Sequence, residues 1–367
     1  FDQMKLVVAL QNSRESRHNR GFNSSRRTDR AEHVKAFSVN ADLDKKISAR
    51  SSLFYGAELV SNKVFSTAQR VNIDNGQITP ASTRYPDGSR WRSMAVYVSA
   101  RTKLSEKWSI DPSLRFTNVY THARFDLTFF DFPFTETLLN NNALNGALGL
   151  VFHPVQAWKL YANFSTGFRA PNIDDVGKVF DSEPGNVVVP NTQLKPEYAY
   201  NGEVGFAGIA ADRVSMDFSA FYTILDNAMS RGPSTFNGQD SIEYDGVRSR
   251  VLSLQNISEL WVAGIQAGVN IEFDVGISFN STFNYQRGKE KLPGSDSSYP
   301  PTHVAPTFGS AHLVWRKGKF RGDLYMNYNG RIPYNKLALS ERADAHSQQP
   351  RQMKHCTKVH QCKRLSI

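Results

Sequence analysis

Between Trp261 and Phe273 the odd positions are apolar throughout: Trp261, Ala263, Ile265, Ala267, Val269, Ile271 and Phe273. The even positions are mostly small or polar, namely Val262, Gly264, Gln266, Gly268, Asn270 and Glu272. After a tight corner at Asp274-Val275 the pattern resumes, with Ile277, Phe279, Phe283 and Tyr285 opposing Ser278, Asn280, Thr282, Asn284 and Gln286. A period of two puts alternate side chains on opposite faces of a strand, and these runs exceed the roughly 5–6 residues usual in soluble sheets. Similar paired runs join Val96, Val98 and Ala100 to Ile110, Leu114 and Phe116, and Leu148, Leu150 and Phe152 to Leu160, Ala162 and Phe164. Others join Tyr198, Tyr200, Val204 and Phe206 to Val214, Met216, Phe218, Ala220 and Tyr222, and Ala311, Leu313 and Trp315 to Leu324, Met326 and Tyr328. Weaker alternation lies at Phe37 to Leu43 and at Leu53 to Leu59.

The segments between runs alternate in length. Tight turns alternate with long polar stretches at Ser61 to Arg92, Tyr120 to Asn142, Gly167 to Pro196, Asp226 to Asn256 and Gly288 to Pro306. Every long stretch therefore falls at the same end of the strands. Outer-membrane barrels have this asymmetry, with short turns on one side and long external loops on the other. The expected fold class is all-β, a transmembrane antiparallel β-barrel present in part. A soluble all-β protein with long loops is the alternative. In a barrel, Asp111, Arg115, Glu203, Asp217, Arg321, Asp323 and Asn327 face the lumen, because a charge on the lipid face near the midplane costs about 2–4 kcal/mol.

Composition changes this picture little. Mean hydropathy is −0.46 over 367 residues, and the densest apolar stretch, Leu6 to Leu10, is strand-sized. No run approaches the ~18 apolar residues of a membrane-spanning helix. The net charge of +10 gathers in Arg14, Arg17, Arg20, Arg26, Arg27 and Arg30 and in the tail after Arg351. No basic-helix or base-stacking motif accompanies it, so nucleic acid is not an expected partner. The scattered Ser, His and Asp residues form no nucleophile–base–acid set, so no catalysis and no cofactor are expected.

Tyr161-Ala-Asn-Phe-Ser-Thr-Gly-Phe-Arg-Ala-Pro-Asn172 resembles a recurring segment of TonB-dependent outer-membrane receptors, in which a strand ends in Gly-Phe-Arg-Ala-Pro before an external loop. Asn191-Thr-Gln-Leu-Lys-Pro-Glu197, followed by Glu203 and Gly205, is similar to the returning segment of that loop. Phe221 to Asp226, Gln255-Asn256 running to Ala263-Gly264, and Pro301 to Pro306 with Gly309 resemble later parts of the family. The resemblance extends from about Phe37 to about Ala345 and marks Gly167, Phe168, Arg169, Ala170, Pro171, Asn172, Asn191, Leu194, Pro196 and Glu197 as site residues on the plug or ligand side.

The resemblance implies a barrel in outer-membrane lipid that captures a scarce extracellular small ligand, such as an iron chelate, haem, cobalamin or an oligosaccharide. It further implies energised import through the TonB–ExbB–ExbD complex. A passive pore or adhesin barrel remains the alternative. The family's N-terminal plug has no counterpart in this sequence, and Phe1-Asp2-Gln3 does not open a signal peptide. The chain is therefore expected to be a fragment, with residues 1–346 forming a partial barrel and 347–367 an aberrant, disordered basic tail. His355, Cys356, His360 and Cys362 in that tail do not match the paired-ligand spacing of zinc sites, so no metal is expected.

Overall fold

The computed structural model describes residues 1–178, 180–183, 185–244, 246–256, 259–291, 298–301, 304–305, 307–334 and 337. The tail 347–367, with His355, Cys356, His360 and Cys362, lies outside the described residues. Thirteen strands form one meander in which each pairs antiparallel with its neighbour along the path. They are β1 (Gln3–Arg20), β2 (Arg26–Lys46), β3 (Ser51–Asn72), β5 (Ser89–Lys103), β6 (Trp108–Arg124), β7 (Glu136–Val155) and β8 (Trp158–Arg169). The path continues through β11 (Glu197–Ala210), β12 (Val214–Asp226), β16 (Glu259–Phe273), β17 (Ile277–Lys291), β19 (Thr307–Lys317) and β20 (Phe320–Asn329). Two short strands lie beside it: β4 (Ile78–Pro80) on β3 and β18 (Ser298–Tyr299) on β17. Among the described residues β1 and β20 do not pair with each other, so the sheet is open.

One end of the meander carries only tight turns, at 47–50, 104–107, 156–157, 211–213, 274–276 and 318–319. The other end carries the long connections 73–88, 125–135, 170–196, 227–258 and 292–306, together with the short 21–25. The strands reach further than the hydrophobic pattern predicts. Ser61 to Asn72 belongs to β3, Tyr120 to Arg124 to β6, and Glu136 to Asn142 to β7. Beyond the lipid both faces are wet, so the apolar alternation stops while the hydrogen-bond ladder continues. The Arg14 to Arg30 cluster is likewise the far end of the β1–β2 hairpin rather than a loop.

Register keeps one face apolar across the whole sheet, because cross-strand partners point to the same side. Leu6, Ala41, Ala57, Val96, Phe116 and Leu144 are successive partners. Further round, Phe206, Phe218, Ala267 and Phe283 continue the band. Its side chains are exposed or half-buried, with Leu144 at 67% and Val96 at 56%. In water such a surface is a liability; against lipid it is the expected outside of a barrel. Aromatic pairs flank the band, Trp108–Phe152 and Trp158–Phe206 toward the tight turns, Phe168–Tyr198 and Tyr222–Trp261 toward the long loops.

The opposite face is polar and internally bonded. Arg115 donates to Glu58 at 3.0 Å, Tyr97 donates to Asn40 and Asp42, and Tyr161 donates to Glu203 at 3.0 Å. All seven residues predicted to face the lumen lie on this side by register.

Candidate functional site at the capped mouth

The long loops fold instead of trailing into solvent. Within 170–196, α1 (Ile173–Gly177) is followed by β9 (Phe180–Glu183) and β10 (Asn186–Val189). Within 227–258 lie β13 (Met229–Pro233), β14 (Ser241–Tyr244) and β15 (Val247–Asn256). These five strands form a second sheet in the order β13-β15-β10-β9, with β14 also on β15, and β10 pairs parallel to β15. Its core is Val187, Val189, Tyr244 and Val251, with Phe130, Phe132, Phe236 and Ile242 packed on it. Phe130 and Phe132 come from loop 125–135, whose Asp131 carbonyl also accepts from Asn237 Nδ2 at 2.7 Å. Three loops therefore make one cap over the mouth.

The site residues anticipated from sequence anchor this cap. Gly167 and Phe168 lie just before the end of β8, opposite Ala199 and Tyr198 of β11. Arg169 pairs in register with Glu197. Its guanidinium donates to Glu197 Oε2 at 2.9 Å and, through the other nitrogen, to both Asp175 oxygens at 2.7 and 2.9 Å. Glu197 uses its second oxygen to accept the Met229 amide. One arginine thus joins two strand ends to α1, and its glutamate reaches the next loop. Both carboxylates that hold the Arg169 guanidinium lie within this chain.

After Ala170, Pro171 is fully buried, and its carbonyl accepts from Thr121 Oγ1 of β6 at 3.2 Å. Asn172 caps α1: its side chain accepts from the Asp174 and Asp175 amides, and Asp175 accepts from the Asn172 amide. This is a reciprocal capping box, here with Asp at the third position. The helix buries Ile173 and Val176 against the inner wall. Gly177 is needed by close approach, since a Cβ there would meet Pro86 Cδ at 2.9 Å.

Tyr85 donates to Asp174 Oδ1 at 2.5 Å, and Lys178 Nζ donates to Asp174 Oδ2 at 3.0 Å. Burial works against ionisation of Asp174, but these two donors outweigh it and hold the carboxyl below the usual range. Burial, then the same carboxylate, push the Tyr85 hydroxyl up. On the return, Asn191 Nδ2 donates to the Leu254 carbonyl at 2.8 Å, Leu194 is buried, and Lys195 N donates to Asn256 Oδ1 at 2.8 Å. Pro196 then leads into Glu197 at the start of β11.

Between the cap and the tip of the β1–β2 hairpin lies a cavity of about 1050 Å³, lined by Arg20, Arg26, Arg30, Arg70, Phe129 and Phe130 among others. In the sequence Arg20, Arg26 and Arg30 stand out only as part of a charge cluster and Arg70 does not stand out at all; their gathering depends on register. Among the described residues no group of His, Cys, Asp and Glu side chains is arranged to hold a metal.

The family model described as TonB dependent receptor-like, beta-barrel, matches residues 5–348. The chain belongs to the TonB-dependent receptor β-barrel family. A probable hemoglobin and hemoglobin-haptoglobin-binding protein from Haemophilus influenzae is 24% identical over 197 residues, covering 50% of this chain and 19% of the relative. A hemoglobin and hemoglobin-haptoglobin-binding protein from Haemophilus ducreyi is 25% identical over 290 residues, covering 64% and 29%. Among solved structures the copper transporter OprC superposes with a TM-score of 0.70 at 12% identity, over 91% of this chain and 49% of that one. The ferric citrate transporter FecA, unliganded, gives 0.62 at 16%, over 90% and 47%. This TonB-dependent receptor barrel chain thus spans less than a third of those two curated relatives and about half of each of these solved transporters.

Proposed function

We propose that this chain supplies wall and external cap to an outer-membrane receptor that imports a scarce extracellular ligand with energy delivered by the TonB–ExbB–ExbD complex. The observation that carries the reading is the cap itself: loops 125–135, 170–196 and 227–258 share one hydrophobic core and are tied back to the wall through Arg169, Glu197 and α1. Loops that fold on one another and are tied to the wall give a receptor the shaped surface that must rearrange when the ligand is drawn in, which a passive pore does not require. Relatives named for haemoglobin binding favour an iron-bearing ligand over cobalamin or an oligosaccharide. The arginine- and phenylalanine-lined cavity suits an anionic chelate with flat apolar faces.

The test compares surface binding with uptake of haem, haemoglobin and a ferric siderophore by cells producing the receptor, with and without the coupling complex. Uptake that requires the complex, with binding that does not, supports the proposal. Equal uptake in both strains makes the barrel a passive pore.

A further inference from the structure

On the outward face, immediately beyond the apolar band toward the long loops, the register lines up cations. Lys35 of β2 pairs with Lys63 of β3, and Lys63 pairs with Arg90 of β5. Arg92, two residues along, pairs with Tyr120 of β6 and lies 5.5 Å from its ring centroid. Lys35 and Lys63 both sit over the Phe65 ring, at 5.6 and 4.6 Å from its centroid. Phe37, Leu59 and Met94 lie on this same face, one or two positions nearer the tight turns.

Like charges directly opposite one another destabilise a sheet, and here three in a row do so. Among the described residues, none of Lys35, Lys63, Arg90 or Arg92 forms an ion pair, and Glu136 on the same face is held by His122 at 3.1 Å and Arg124 at 3.6 Å. Phe65 screens the two lysines only in part. The row spans two inter-strand spacings, roughly 10 Å, at the level where lipid acyl chains give way to headgroups.

We propose that Lys35, Lys63, Arg90 and Arg92 form a docking site for a lipid headgroup carrying two phosphates. The inference rests on the reading of the chain as an outer-membrane barrel with its long loops outside. The apolar band holds the acyl chains, the row holds the phosphates, and the anions relieve the repulsion that the register builds in. Arg90 and Arg92 supply forked donors, and the lysines supply point charges on flexible stems.

Purified protein in detergent is titrated with bisphosphorylated lipid A, with the same lipid stripped of its phosphates, and with inorganic pyrophosphate, and bound lipid is read by native mass spectrometry. The double variant K35Q/K63Q should bind bisphosphorylated lipid A about thirtyfold more weakly, roughly fivefold per basic residue removed at an anionic lipid surface. K35R/K63R should retain binding and so separate charge loss from misfolding. K103Q/K107Q, which removes the same charge at the opposite rim, should leave it unchanged. Equal binding by K35Q/K63Q, or equal binding of the stripped lipid, overturns the proposal. Displacement by pyrophosphate at equal concentration also overturns it and makes the row a free-anion site. Because this readout involves no uptake, it stands apart from the test of energised import.

Discussion

Arg169 and Glu197 face each other across the last rung of the β8–β11 ladder, 2.9 Å apart, and Arg169 also holds Asp175 of α1. The strand pair and the loop it launches are therefore closed by one side chain. Arg169 is about half exposed while Asp175 is nearly buried, so the contact is worth more than an open surface pair but less than the 1.5–3 kcal/mol of a buried charge-assisted bond, or about 1 kcal/mol. Arg169→Ala should speed proteolysis within 170–196 about fivefold and impair energised uptake, while heat-modifiable migration on gels stays that of an inserted barrel. Arg169→Lys should recover only part, because an ammonium cannot fork to two carboxylates. Unchanged protease resistance in the alanine variant would remove Arg169 from this role.

The docking of α1 carries a pH signature. Asp174 has a lowered pKa, so its contribution is complete above the ordinary aspartate value of about 3.9 and is lost only as pH falls through the lower folded value. Tyr85→Phe removes one of the two donors that outweigh burial, which raises the folded pKa and moves that loss to higher pH. Hydrogen exchange at the α1 amides, corrected for intrinsic rates, should show opening in strong acid for the native chain and at less acid pH for Tyr85→Phe. Coincident profiles would mean that Asp174 does not hold the helix.

Gly205 lies beneath the ring of Tyr161, its register partner; a Cβ there would come within 2.6 Å of the ring and 2.5 Å of the Phe218 carbonyl oxygen. Gly205→Ala should displace Tyr161 from Glu203 and lower barrel stability by about 1–3 kcal/mol, read as a shifted urea midpoint at constant slope. An unshifted midpoint would show that the wall yields there.

Facing can be read by chemistry. Ile265, Val269, Phe279, Phe283, Phe218 and Met326 share the outward face, and Gln266, Asn270, Asn280, Asn284 and Asp323 share the other. Single cysteines at the first set should react with lipid-phase maleimides, and those at the second with aqueous ones. The reverse labelling would mean a one-residue slip.

The tail is the remaining expectation. Strand periodicity stops before Ser347, and the family match ends at residue 348. Removing residues 347–367 should leave the far-ultraviolet circular dichroism of the folded barrel unchanged. A marked loss of β signal, or release of stoichiometric zinc on unfolding, would reveal a real element there.

The lipid band was legible because lipid rewards alternation, and Trp261 to Phe273 displays it without a break before Ile277 to Tyr285 takes it up again, with Ser281 the one polar residue in the outward series. The outer reaches of β3, β6 and β7 were not, since water on both faces leaves no apolar stripe to read. The Gly167 to Glu197 segment stood out by resemblance, but its internal helix was missed. Its signal was present in Asn172 and Asp175, three residues apart at the start of a buried Ile-x-x-Val stripe. The basic row could not be found in one dimension: Lys35, Lys63 and Arg90 are 28 and 27 residues apart and become neighbours only through register.

The parallel pairing of β10 with β15 has a consequence for how the molecule forms and opens. Each wall strand pairs with the next along the meander, most of them through local hairpins. The cap instead pairs Asn186 with Arg250 and Val189 with Ser253, across a sequence separation of 64 residues. Loop-closure entropy makes such a contact form late, after strands β11 and β12 have brought its halves together. The cap is thus a separate cooperative unit, last to assemble and first to open in hydrogen exchange, so the mouth can unlatch while the wall keeps every rung of its ladder.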